Sequence, residues 1–154
     1  MGGLPAESEY RLLEMLPSVS DYRRLRAAVG WSELPPEAMG KGLGSSLYSV
    51  CVRRGEEVVG CGRVVGDGAV YFYIQDVIVL PEHQGRGLGT RIMGRIMAYL
   101  DGHAHRNSFI ALMAAKGAEG FYERYGFARR PPDRPGMVLI WGEWSSQRCL
   151  TMSE

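Results

Sequence analysis

A mixed α/β domain is the fold class this sequence predicts. Three observations carry the prediction: alternating apolar segments of strand length across residues 47–80, one strong helical period across 88–101, and glycine or proline at nearly every boundary. The chain has 154 residues, 45% apolar and 23% charged, which suits one domain that buries its own core without disulfide or metal.

Residues 9–15 (EYRLLEM) read as a short first strand, ended by Pro17. Ser18 or Ser20 then caps a helix that places Tyr22, Leu25 and Val29 at helical spacing, and Gly30 stops it. LPPEAMGKGLG gives a short, irregular helix after Pro35 and Pro36. Residues 47–54 (LYSVCVRR) alternate and are rich in β-formers, and a turn at Gly55-Glu56-Glu57 leads into the partner strand EVVGCGRVVG. Gly66-Asp67-Gly68 makes a second hairpin turn, followed by AVYFYIQDVIVL, a long apolar strand ended by Pro81. Across 88–101, Ile92, Ile96, Met97 and Leu100 recur at helical spacing. FIALMA is a further strand, and GAEGFYERYG a short helix closed by Gly126. FARR and MVLIWGEW, on either side of the proline-rich PPDRPG, complete the strands. No repeat, low-complexity tract or linker interrupts this order. Residues 1–154 are therefore expected to form one domain, with a core over about 8–144 and a tail at 145–154.

Composition excludes several functions. Eighteen basic against seventeen acidic residues give a net charge of +1, without the cationic excess of a general nucleic-acid or membrane-surface binder. No apolar run approaches the ~20 residues of a membrane-spanning helix, and MGGLPAESEYRLLEML lacks the marks of a signal peptide. Cys51, Cys61 and Cys149 are odd in number and at no metal spacing, so free thiols in the cytoplasm are expected. His103 and His105 have no third ligand at a sensible spacing, and no metal is expected.

The most informative stretch runs from Tyr73 to Leu100. An apolar strand enters Gln84-Gly85-Arg86-Gly87-Leu88-Gly89-Thr90, and an amphipathic helix starts at once. Glycines at 85, 87 and 89 permit a tight turn with exposed N–H groups, and a helix N-terminus adds further donors and a positive dipole end. Such a turn suits a phosphate, to which Arg86 adds a charge. A Walker A loop would need lysine before Thr90, where Gly89 stands. A dinucleotide fingerprint would need a third glycine that GRGLGT lacks at that spacing. The pattern Gln84-x-x-Gly87-x-Gly89 fits a third type, Q/R-x-x-G-x-G/A, without a gap. A glycine turn with no ligand is the remaining alternative.

The segment IQDVIVLPEHQGRGLGTRIM resembles the acetyl-CoA motif of the GNAT superfamily of N-acetyltransferases, and GFYERYGF resembles its second signature. The likeness spans nearly the whole chain. IQDVIV, GF and the late PGM are more narrowly similar to bacterial and plastid amine acetyltransferases of the serotonin N-acetyltransferase type. The resemblance implies a mostly antiparallel, mixed sheet of six to seven strands flanked by about four helices.

It also implies a site. Val77, Ile78 and Val79 would pair through their backbone with the pantetheine arm, whose amides a strand edge can satisfy. Gln84, Gly85, Arg86, Gly87, Leu88, Gly89 and Thr90 would hold the pyrophosphate. An amine would attack the thioester directly, after a base takes its proton. Tyr122 matches the family tyrosine that acts as general acid to the departing thiolate, and the alternative for it is a core tyrosine. Asp76 is the only acid in the long strand and is the candidate base. Two other readings stay open: a hydrogen-bonded strand or bulge residue at Asp76, and a loop acid such as Glu33 as base. Animal arylalkylamine acetyltransferases carry histidines at the places of Tyr73 and Gln75, so this chain departs from that scheme. Alternation puts Asp76 on the opposite face from Tyr73 and Gln75 unless a bulge re-aims it. Ala115 stands where many members have a CoA-contacting asparagine.

Trp31, Tyr71 and Tyr73, with Tyr48 and Phe72 nearby, are the expected lining of the acceptor pocket, as aromatic side chains suit a flat or cationic amine. The expected activity is acetyl transfer from acetyl-CoA to a primary amine of a small molecule: an arylalkylamine, a polyamine or an amine-bearing antibiotic. The alternatives are a protein N-terminal or lysine acetyltransferase and a non-catalytic acyl-CoA sensor. Residues 137–144 are an expected edge for a homodimer.

Overall fold

Two serines compete to cap the first helix, and Ser18 wins it. In the structure, a computed structural model that describes residues 9–142, the Ser18 hydroxyl accepts the Asp21 N–H at 3.0 Å and starts α1 (Val19–Ala28). The helix ends in a Schellman motif: Gly30 takes φ +78°, its N–H reaches the Ala27 carbonyl, and the Trp31 N–H reaches that of Arg26. This reversal turns Trp31 back onto α1, with the Arg26 guanidinium 5.5 Å from its ring centre.

The other elements follow in the expected order. They are β1 (Tyr10–Leu13) before α1, then α2 (Pro36–Gly44), β2 (Tyr48–Arg54), β3 (Glu57–Gly66), β4 (Tyr71–Val79), a 3-10 turn (Pro81–His83), α3 (Leu88–His103), β5 (Phe109–Ala111) and α4 (Glu119–Glu123). The five strands lie in the order β1-β2-β3-β4-β5; the first four are antiparallel and β5 runs parallel to β4. The sheet is mixed and mostly antiparallel, with helices on both faces, as the resemblance implies. The β3–β4 turn is pinned by Asp67, whose carboxylate accepts the N–H groups of Ala69, Val70 and Tyr71 and is thereby held below its ordinary pKa. No described helix is long and apolar enough to cross a membrane.

The strand count is a correction, five among the described residues against an expected six to seven. FARR forms no strand because Gly126 precedes it at φ +93° and Pro131–Pro132 follow, which removes ladder donors. The described part of MVLIWGEW, 137–142, joins no ladder; Met137 is 88% exposed. Residues 143 and 144 of that expected strand lie outside the described residues.

Two compact units divide the chain after Met113. In the first, α3 buries Ile92, Met93, Ile96 and Leu100 against the sheet. The contact is close because β3 carries glycine there: a Cβ at Gly62 would sit 2.6 Å from Ile92 Cγ2 and 3.1 Å from Ile96 Cδ1. Both isoleucines are fully buried and have nowhere to retreat. Gly62→Ala is therefore expected to destabilise the fold by about 1–3 kcal/mol, read as a lower denaturant midpoint at unchanged slope. In the second unit, α4 is closed by Gly126, and Glu119 pairs with Arg129 at 3.2 Å.

Candidate active site

Strand β4 has two different edges. Along one it pairs with β3 from Phe72 to Val79; along the other it pairs with β5 only over Tyr71–Tyr73. Beyond Tyr73, no described strand covers the second edge, so residues 74–79 present peptide groups to whatever extended partner fits. The edge leads into the glycine turn. Gln84 ties the turn to the strand by donating from Nε2 to the Val79 carbonyl at 2.9 Å. Gly85 and Gly87 both take φ +77°, a conformation that a side chain disfavours, and Gly87 caps α3. With no acidic residue in its first turn, α3 presents its N-terminal donors and dipole end unopposed. Beneath the turn, Tyr10 and His83 are buried together with Tyr10 Oη 2.8 Å from His83 Nδ1, and the guanidiniums of Arg54 and Arg86 lie 5.9 Å from the Tyr10 ring centre.

Asp76 sits where β4 bulges. Cys61 faces Ile78 and Arg63 faces Gln75, so Asp76 and Val77 together oppose the single residue Gly62. Asp76 takes φ +56°, and the extra residue turns its side chain away from α3 and toward α1. Phe72, on the α3 side, meets Tyr99, whereas Asp76 meets Tyr22 of α1. The bulge thus brings Asp76 to the face that Gln75 occupies.

The Asp76 carboxylate is 1% exposed and surrounded by donors. Tyr22 Oη donates to Oδ2 at 2.7 Å and Arg63 Nε to the same oxygen at 2.6 Å. Gln75 Nε2 donates to Oδ1 at 3.2 Å, and Arg26 Nη1 lies 3.6 Å from it. Arg63 also donates to the Gly42 carbonyl at 3.2 Å and to Ser46 at 3.1 Å, which fastens the end of α2 to the cluster. Burial, followed by the hydrogen bond and charge of Asp76, pushes the Tyr22 phenol up and keeps it a donor. For Arg63, burial opposes the charge, but the bond and charge of Asp76 outweigh it and the net shift is upward.

A cleft of about 160 Å³ adjoins this cluster through Arg26. Trp31, Leu34 and Met39 give it apolar walls, and Arg23 forms an ion pair with Glu33 at its rim. Arg26 Nη2 donates to the Ser32 carbonyl at 2.9 Å and holds the loop in place.

The expected site residues fall in different places. Trp31 lines the cleft. Tyr73 is half-buried, and burial followed by the charge of Asp76 raises its phenol pKa. Tyr71 is 60% exposed against Phe109 at the far end of β4, about 17 Å from Asp76 at the rise of a strand. Tyr48 and Phe72 do not line the cleft with Trp31, contrary to expectation: both pack on Tyr99 of α3. Tyr122 belongs to the second unit, half-buried between the rings of Phe121 and Phe127, and burial raises its pKa. Sequence reasoning missed Tyr22, Arg26 and Arg63. Two signals were present, since Tyr22 and Arg26 share a face of α1 at i and i+4, and Arg63 is the one cation within a largely apolar strand.

Two other chemistries find little support among the described residues. Burial pushes the Cys51 thiol up to about 12 and Cys61 well above its ordinary value, so neither supplies a thiolate nucleophile at neutral pH. No group of three or more potential metal ligands occurs among them, and His103 is engaged by the Tyr99 carbonyl and ring.

Comparison with known proteins agrees with this geometry. Residues 46–129 match the model of the acetyltransferase (GNAT) domain. The chain is 29% identical over 128 residues to an uncharacterized ycf52-like N-acetyltransferase of Prochlorococcus marinus, covering 80% of this chain and 68% of that protein. It is 42% identical over 81 residues to the chloroplastic serotonin N-acetyltransferase 2 of rice, covering 53% of this chain and 40% of that one. A probable acetyltransferase of unknown function from meticillin-resistant Staphylococcus aureus superposes with a TM-score of 0.81 at 33% identity, covering 86% of this chain and 99% of that one. An opened strand edge, a glycine turn capping a helix and a match over more than half the sequence place the chain in the GNAT family of acetyltransferases.

Proposed function

We propose that this acetyltransferase takes acetyl-CoA as donor and acetylates a primary amine on a small molecule by direct attack. The observation that carries the reading is the uncovered edge of β4 running into the Gly85–Gly87 turn. The backbone of Val77, Ile78 and Val79 would hold the pantetheine arm as an added strand. Residues Gln84 to Thr90 would hold the pyrophosphate, with the left-handed glycines aiming N–H groups and Arg86 adding charge. When bound, acetyl-CoA supplies the activated acyl group; the chain positions it and manages protons.

Tyr122 is the proposed general acid, since a phenol with a raised pKa keeps its proton at neutral pH. The geometry supports Asp76 better as a positioning residue than as the base. Both of its oxygens already face donors, among them the two guanidiniums of Arg63 and Arg26. Glu33, which lines the cleft beside Arg23 and is largely exposed, would receive the amine proton through water. A bounded cleft with an apolar wall supports a small acceptor over a peptide lying in an open groove. The free, buried Cys51 and Cys61 support a reducing compartment such as the cytoplasm.

Free-thiol release from acetyl-CoA is the test, run against a panel of small amines and, separately, lysine-containing peptides. Release with small amines alone is the expected result. Release with peptides alone would replace this reading by a protein acetyltransferase, and acetyl-CoA binding without any release would replace it by a sensor.

A further inference from the structure

The cleft carries an imbalance that a plain amine does not answer. Asp76 is one carboxylate shared by two buried guanidiniums, those of Arg63 and Arg26, and the Tyr22 phenol between them stays neutral. The Arg23–Glu33 pair at the rim is balanced in itself. One positive charge is left over, and it belongs to a side chain only 14% exposed that lines the cleft. Arg26 also retains an unused donor. Its Nη2 serves Ser32 and its Nη1 approaches Asp76, but its buried Nε–H has no hydrogen-bond partner. Among the described residues only Ser49 Oγ shares that condition. A buried donor left unmade is costly, and a charged one more so; the Nε–H is itself closed off, so what a ligand in the cleft would meet is the excess charge of the guanidinium.

We propose that the cleft takes the carboxylate of the acceptor, so that the substrate is an amine-bearing carboxylic acid with an apolar or aromatic body. The inference rests on the acetyltransferase reading and narrows its substrate class. A carboxylate would face the part of the Arg26 guanidinium that lines the cleft and neutralise the single excess charge. A phosphate, at about −1.5 to −2, would overbalance it. An alkylammonium group placed there would be repelled. Trp31 and Leu34 would receive the body, in a loop fixed by the Schellman turn and by the bond from Arg26 to Ser32. The bulge at Asp76 joins this cleft to Val77–Val79, where the acetyl donor is proposed to lie.

Matched pairs test the proposal on the unaltered protein: phenylalanine against phenethylamine and tryptophan against tryptamine, by thiol release. The acid of each pair is expected to have the higher kcat/KM by about tenfold or more, the value of one good charge-assisted contact. Arg26→Gln should erase the preference. Arg26→Lys, which keeps the charge but lacks the planar guanidinium fork, should retain only part of it. Independently of turnover, 3-phenylpropionate should quench Trp31 fluorescence in a saturable way, and Trp31→Phe should abolish the signal. A phenylalanine-ended dipeptide that outcompetes phenylpropionate, where its amide does not, would assign the carboxylate to a peptide end instead of a free amino acid. Preference for the decarboxylated amines, with no binding of phenylpropionate, would overturn the inference while leaving the acetyltransferase reading intact. Saturable, Arg26-dependent binding of phenylpropionate with no acetylation of any small amine would do the reverse.

Discussion

Replacing Tyr122 by phenylalanine is expected to lower kcat by about a hundredfold or more, with the Kd for acetyl-CoA unchanged. The side chain loses only its hydroxyl, so its packing between Phe121 and Phe127 persists. What disappears is the proton that a phenol with a raised pKa still holds at neutral pH. The unaltered protein should therefore lose rate on the alkaline side, above the ordinary tyrosine value of about 10, as Tyr122 ionises. Tyr122→Phe should lack that limb. Single-turnover kinetics with binding measured in parallel separate the two effects. A variant with full turnover would make Tyr122 a packing residue and leave the departing thiolate without this donor.

Asp76→Ala is expected to cost about 3–5 kcal/mol of folding stability, because it leaves two buried guanidiniums and a phenol without their common acceptor. Asp76→Asn keeps an acceptor oxygen for Tyr22 or Arg63 and should cost less. Denaturant titration measures both. The same variants decide the role of Asp76 in the reaction. A positioning residue predicts that Asp76→Asn lowers kcat far less than Glu33→Gln does, once both are folded. A loss of kcat in folded Asp76→Asn alone, with Glu33→Gln at full rate, would return the base to Asp76.

What the sequence made legible was chiefly local. Ser18, Gly30, Asp67 and Gly126 each mark a turn or cap through their own backbone chemistry, and each stands where the boundary was expected. The glycine turn was readable for the same reason. The Asp76 cluster was only half legible. An acid in an apolar strand announces itself, but its partners come from α1 and β3, 54 and 13 residues away in sequence, and spacing does not encode such a meeting. The bulge that re-aims Asp76 is equally non-local, being set by the register of β3 against β4. The aromatics misled for a different reason. Tyr48 and Phe72 favour strands because they pack against a neighbouring layer, and that layer is α3, not the cleft beside Trp31. Apolar content at 137–141 gave a strand signal, but these residues join no ladder among the described residues, and a strand exists only through its ladder.

Calorimetric titration of the purified protein with acetyl-CoA tests the central claim most directly. An open strand edge ending in a glycine-capped helix predicts saturable binding, one molecule per chain. Absence of binding to a folded protein at millimolar acetyl-CoA would contradict it, and would leave the β4 edge and the turn as features of the fold alone.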